Sequence, residues 1–425
     1  MISNRRYDID RSEATDAAEL LALIEKTFTE PALRWYISAA DRHRIVVEST
    51  EYSGALPYPD GTDVTSQSGL DVVVSLIPTG IGCSIGGYAG DAAPATALLG
   101  EAADVVVTNP NAVNASDFIK ADSRVLYTEG SCIDAFSRGE INLHRTRGNR
   151  VGLVIESAPS AAVGHVLNVA NAVRAVHGVN IVDYIVTDAP IGTRCVQNES
   201  GAYVGHIDAP DVLLDAAREL VDRGANAIAV TTNVQDLTGP EYSAHFQGGH
   251  PNPVGGAEAI LSHLVVRTLG VPCAHAPMVN FKELDLDHSV VDARSAGELV
   301  SASGVACVLV GLGRAPQFSR NIVGCRTTEE LTSDDVLAVV APADALGGIP
   351  VLEALRRQVP VLAVRGNSTI LEVTAENLRL PGVTEVASYA EAAGLILALR
   401  SGINPESIVR PMRTLGGSEA QLRRR

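Results

Sequence analysis

From Asp71 onward the chain alternates short valine-rich runs with helical patterns, and that alternation constrains the fold more than any other feature. Strands are predicted at Val72–Pro78, Val105–Thr108, Val125–Thr128, Val151–Glu156, Val182–Thr187, Ala227–Thr231, Val271–His275, Cys307–Gly311, Val336–Val340 and Val361–Val364. Helices are predicted at Ala92–Glu101, Ala161–Val176, Val212–Arg223, Ala257–Leu269, Ala296–Ser303, Val351–Arg357 and Ala390–Arg400. Short runs this rich in Val suit parallel strands buried on both faces. Strand and helix in turn build doubly wound sheets. One sheet of all these strands is feasible, but two sheets of about five strands are more usual. Residues 1–60 differ, with a helical pattern at Ala14–Lys26 and a strand-like Arg44–Glu48. The expected class is therefore α/β: doubly wound parallel sheets in two or three units, with a short N-terminal α+β extension. The expected units are 1–60, 61–150, 151–300 and 301–425.

At 425 residues and 46% hydrophobic content, with few aromatics, the chain can bury two or three cores. Its net charge of −17 argues against a nucleic-acid or acidic-membrane partner. The start, MISNRRYDIDRSEATD, has no apolar stretch of the secretory kind, and the longest apolar runs are strand-length. The six cysteines form no C-x-x-C pair, and Cys307 and Cys325 sit in apolar, strand-like runs. Together these point to a reduced, cytoplasmic protein with no membrane partner.

The first strand runs into a loop with glycines at 80, 82, 86, 87 and 90, and a helix starts near Asp91. Strand, glycine turn and helix can expose backbone N–H groups to an anion. The spacing is neither G-x-G-x-x-G nor a Walker A loop, so a small anionic ligand is expected rather than a given nucleotide. The competing reading is that these glycines serve tight turns and close packing.

This segment, PTGIGCSIGGYAGDA, together with TNPNAVNAS (108–116), LYTEG (126–130), HPNPVGGAEAI (250–260), VPCAHAP (271–277), APADALGGIPVLEAL (341–355) and VLAVRGN (361–367), resembles the uncharacterised DUF3326 family. The matches span roughly residues 65–370. The resemblance places the glycine loop and the Pro-Val-Gly-Gly segment among the family's signature pieces and implies no particular activity. It also implies small residues at position 83, which weakens Cys83 as a nucleophile.

In open α/β sheets ligands bind beyond the carboxyl ends of the strands. That rule selects Thr79, Gly80, Gly82, Gly86, Gly87 and Asp91 after the first strand, and Asn109, Asn111 and Asn114 after the second. The asparagines offer neutral donors and acceptors for a carboxylate, amide or hydroxyl, or else cap the next helix. Glu129 follows the third strand and is a candidate acid or base, or else a turn cap. In Gln247–Glu258, His250 sits beside Asn252, Gly255 and Gly256 at a helix mouth and is a second acid/base candidate. His275 ends its strand as an active-site wall or a satisfied core histidine.

His245, His250, Cys273 and His275 contain ligand types for zinc but no recognised spacing, so no metal is expected. Cys132 follows Ser131 at a helix start, where a thiolate is stabilised. Thr231-Thr232-Asn233 is loosely similar to a racemase strand end, but with Thr231 in place of the cysteine. Near the C-terminus, Asp344, Gly347, Gly348 and Glu353 have the form of a diphosphate loop, with Arg365 supplying charge nearby. The competing reading there is a Gly-Gly turn feeding a packed helix.

The expected function is an enzyme acting on a small carboxylated or phosphorylated metabolite in a cleft between α/β units. Catalysis would be acid/base, of isomerase, lyase or hydrolase type, by His250, Glu129 and His275. No cofactor motif is recognised. The Ala- and Val-rich helices are compatible with a homo-oligomer. The alternatives are a non-catalytic small-ligand sensor or assembly protein, and a nucleotide-sugar-type transferase using residues 344–353.

Overall fold

The computed structural model describes residues 1–12, 14–56, 68–109, 122–235, 240–278, 290–301, 303–320, 330–408 and 410–412. Two parallel sheets organise these residues. The first has six strands in the order Val383–Val386, Val361–Val364, Val336–Pro342, Val72–Ser75, Val105–Thr108 and Val125–Tyr127. The earliest strand is therefore internal. Chain order runs outward from it to one edge, then restarts beside it and runs to the other edge. This is the doubly wound arrangement, with its switch point between Val72–Ser75 and Val336–Pro342.

Side-chain alternation along each strand explains why both faces are covered. Val73, Val106, Val340 and Leu362 pack with Leu99, Ala392 and Ile396 of helices Ala93–Ala102 and Tyr389–Arg400. Val72, Val74, Val105 and Val107 belong to the core that contains Ile133, Phe136 and Leu352. Those residues come from helices Gly130–Arg138 and Ile349–Arg356.

The second sheet has four parallel strands, Cys273–Pro277, Ala227–Thr232, Arg150–Ile155 and Asn180–Val186. Helices Ser160–His177 and Gly304–Leu312 pack with one face. Helices Pro210–Asp222 and Gly255–Leu269 pack with the other. An N-terminal antiparallel sheet, Ile2–Asp10, Arg44–Tyr52 and Ala32–Ala40 in spatial order, carries helix Ala17–Glu25. The α/β class with an N-terminal α+β extension is what the structure has. Among the described residues no helix is long and apolar enough to cross a membrane.

Two expectations are corrected. The run Cys307–Gly311 is not a strand but lies inside helix Gly304–Leu312. Val305, Val308, Leu309 and Leu312 are all buried, and a helix buried nearly all round has no polar face to reveal its period. The Ser303 hydroxyl caps it by accepting from the Val305 N–H at 3.2 Å. The expected units 61–150 and 301–425 do not follow the sheets either. Their strands share the six-stranded sheet, and the second sheet is inserted between Val125–Tyr127 and Val336–Pro342. Short β–α spacing does not tell which strands pair across so long an insertion. Cys325 lies outside the described residues.

Candidate functional site

Five helices and the carboxyl ends of strands from both sheets enclose a cavity of about 150 Å³. Thr79, Asn109 and Glu129 reach it from the first sheet, and His275 from the second. Helix Gly255–Leu269 supplies Glu258, Ser262 and His263, and Glu298 closes the far wall from helix Ala296–Val300. Among the described lining residues there are three glutamates and two histidines but no lysine or arginine.

Glu129 is the N-cap of helix Gly130–Arg138. Its Oε2 accepts from the N–H groups of Ser131 at 2.8 Å and Cys132 at 3.3 Å. Its Oε1 lies against Nδ1 of His263, both side chains being buried, and accepts from the Ser262 hydroxyl at 3.3 Å. Burial pushes the Glu129 carboxyl up, but the charge and hydrogen bond of His263, with Ser131 and Cys132, outweigh it and hold it below the ordinary value. A Cβ on residue 130 would meet the His263 ring at 3.0 Å, so Gly130 makes room for the imidazole.

Among the described residues no cation answers Glu258. Burial, with the charge of Glu298, pushes its carboxyl up to about 8. The 22% of its side chain that stays accessible belongs to a residue of the cavity wall. Burial likewise raises Glu298, whose Oε2 accepts from the Ala89 N–H at 3.0 Å. His275 is fully buried, and burial pushes it down to about 3. Its Nε2 is 2.9 Å from the Thr232 hydroxyl, while its Nδ1 has no hydrogen-bond partner among the described residues and faces Glu258 Oε1 at 4.0 Å. An uncharged imidazole thus stands beside a protonated carboxyl at neutral pH.

Of the expected site residues, Glu129, His275, Thr79, Asn109, Asn252 and Gly255 come together on this cavity. The Oδ1 atoms of Asn109 and Asn252 take the N–H groups of Ile77 and Val254, both at 3.0 Å, which fixes each amide. Asn111 and Asn114 lie outside the described residues. His250 is corrected: it is not on the cavity wall, and its Nδ1 meets the Pro251 carbonyl at 3.0 Å, beside the Tyr203 ring.

The glycine loop is corrected too. Its glycines 80, 82, 86 and 87 and Gly256 do not line the cavity. Gly80, Gly255 and Gly256 let two loops and strand Tyr203–Ile207 meet at backbone distance. A Cβ at 80 would lie 2.8 Å, and at 256 only 2.2 Å, from the Tyr203 carbonyl oxygen. Gly82 abuts Pro251, Gly86 folds over Ile77 with φ of +91°, and Gly87 faces the Cys83 carbonyl. Asp91 takes the N–H groups of Gly86 and Tyr88, and burial pushes its carboxyl up to about 7.

At the C-terminal loop, Asp344 holds the Thr369 N–H and hydroxyl, both at 2.9 Å. Arg365 is exposed, and Glu353 pairs with Arg356 at 2.7 Å. Gly347 and Gly348 line a second cavity, described below. Cys132 is no thiolate, since burial and then the Glu129 charge push its thiol well up. Burial pushes Cys273 and Cys83 up as well. His245 Nδ1 meets the His250 carbonyl, and among the described residues no group of His, Cys, Asp or Glu is arranged to hold a metal.

Sequence reasoning named Glu258 and Thr232 only within longer segments, not as site residues, and missed His263, Ser262 and Glu298 entirely. Ser262 and His263 interrupt the apolar run Ile260–Val266 inside a helix, which was the available signal. Buried polar residues in such a run need partners, and Glu129 is the partner.

The family described as "Protein of unknown function (DUF3326)" matches residues 72–409. The chain is 37% identical over 338 residues to a Synechococcus sp. protein named an uncharacterized lipoprotein, an alignment covering 79% of this chain and 92% of that protein. That name corrects the expected cytoplasmic location, which rested on cysteine usage and the composition of the N-terminus. A relative of this coverage that is called a lipoprotein does not go with it, and the cytoplasmic assignment is withdrawn. The breadth of the family match, which takes in both parallel sheets and all the cavity residues named above, establishes that the chain belongs to the DUF3326 family.

Proposed function

We propose that the chain is an enzyme that moves protons on a small polar metabolite held in the cavity between its two parallel sheets. One observation carries the reading: Glu258, a carboxyl pushed up to about 8 on a cavity wall, stands 4.0 Å from an imidazole nitrogen with no hydrogen-bond partner among the described residues. Carboxyls kept protonated near neutral pH are suited to donate a proton in the transition state.

The opposite role falls to His263. The Glu129 carboxylate sits against its Nδ1, which fixes the ring. Two backbone N–H groups and Ser262 hold Glu129 in turn, so Glu129 is a positioning residue in this scheme. His275 Nε2 shares a hydrogen bond with the Thr232 hydroxyl, which leaves Nδ1 to donate to or accept from substrate. Isomerisation, elimination and hydrolysis all suit a paired acid and base. The acidic lining favours a hydroxyl or amine group over the carboxylate or phosphate expected from the glycine loop. Nothing at Glu353 supports the transferase alternative, because that carboxylate is taken by Arg356.

The test is a thermal-shift screen with small amines, amino acids, polyols and carboxylates, followed by turnover assays on the hits. A ligand of the folded state raises the melting temperature by mass action. Glu258→Gln is expected to keep the shift and lose turnover by about 10²–10⁴-fold, the usual worth of a general acid. A hit whose turnover survives Glu258→Gln would sink the reading.

A further inference from the structure

A second cavity, of about 170 Å³, lies at the switch point of the six-stranded sheet. It is separated from the first by shared lining residues that include Thr79, Asn109 and His263. Its roof is the edge strand Ala32–Ala40 of the N-terminal sheet, locked down where the Ile37 N–H donates to the Gly347 carbonyl at 3.0 Å. Gly347 must be glycine for this closure, because a Cβ there would meet the Ile37 Cβ at 2.6 Å. The acid/base chemistry proposed for Glu258 touches this space only through His263, which lines both cavities.

Its chemistry differs from that of the first cavity. Arg34 lines it, with the guanidinium over the Tyr36 ring at 5.3 Å and no carboxylate partner among the described residues. The peptide N–H groups of Gly347 and Gly348, also on the wall, have no acceptor among the described residues. The one carboxyl of the described lining, Asp134, is pushed up to about 6 by burial, against the opposing influence of His263 and Arg138. The rest of the lining is largely hydrocarbon, including Ile81, Ile133 and Leu371. A guanidinium without a carboxylate partner among the described residues, lining one cavity with Gly347 and Gly348 at a switch point, is a setting for an anion, and the apolar wall selects what carries it.

We propose that this second cavity binds a carboxylate on a small apolar body, with Arg34 as counter-ion and the hydrocarbon wall around the body. The site is independent of the Glu258 chemistry and stands or falls separately from it.

The probes are benzoate, butyrate and inorganic phosphate, titrated calorimetrically into the full chain. Benzoate or butyrate is expected to bind the parent, and Arg34→Met to weaken that binding about tenfold or more while keeping the side-chain stem over Tyr36. Arg34→Lys should recover part of the affinity, and Glu258→Gln should leave it unchanged. The proposal is overturned if neither carboxylate binds or if Arg34→Met binds as the parent does. It is equally overturned if phosphate alone binds, or if binding is lost with Glu258→Gln and kept with Arg34→Met. Circular dichroism of Arg34→Met against the parent checks folding, and Arg34→Gln repeats the test if that variant is unstable.

Discussion

At the scale of single residues, the cavity turns on how burial acts on groups of opposite sign. It raises an acid and lowers a base, so both Glu258 and His275 are uncharged at neutral pH. The sign of the stability effect follows. Glu258 binds its proton more tightly folded than unfolded, so its contribution is full below the ordinary glutamate range and is lost as pH rises toward 8. Relative to the parent, Glu258→Gln should therefore gain stability between pH 5 and pH 8, measured by urea unfolding across that range. A constant difference would place Glu258 in an ordinary solvated setting. His275 has the opposite sign. Its lowered value gives stability present above its ordinary range and lost as pH falls toward 3. Glu129 was legible in the sequence because it ends a strand before a glycine. His263 was not, because its meaning depends on a carboxylate 134 positions earlier in the chain.

At the scale of elements, the valine runs and their helices were readable because period-2 burial on both strand faces leaves an uninterrupted apolar run. The glycine-rich segments were also readable as special, but their purpose was not. Gly80, Gly255 and Gly256 allow backbone to meet backbone, a contact between segments some 175 residues apart that no local pattern records. Gly256→Ala is expected to cost about 1–3 kcal/mol of stability, because its Cβ would overlap the Tyr203 carbonyl within a packed junction. Equilibrium denaturation checks this, and an unchanged midpoint would mean the junction is looser than described. Phe136, fully buried between helix Gly130–Arg138 and the sheet, should cost about 3–5 kcal/mol as Phe136→Ala. The helix around Cys307 was misread as a strand for the reason that makes it stable: it has almost no solvent face.

At the scale of the molecule, inserting one parallel sheet between two strands of the other brings the carboxyl ends of both to one cavity. Helix Gly255–Leu269 joins them, presenting Glu258 and His263 to the cavity while its Gly256 end docks on strand Tyr203–Ile207. The class of fold was legible from alternation alone. The pairing of strands across the insertion, and with it the cavity, was not, because sheet order is set by long-range contacts. The central claim is that this cavity keeps a protonated carboxyl ready for transfer. Its most direct test is a carbon-13 NMR titration of glutamate-labelled protein, with Glu258→Gln to assign the signal. The account predicts a glutamate carboxyl that titrates near pH 8 and is missing from the variant. If every glutamate titrates in the ordinary range of roughly 4–5, the cavity holds no such acid and the account is contradicted.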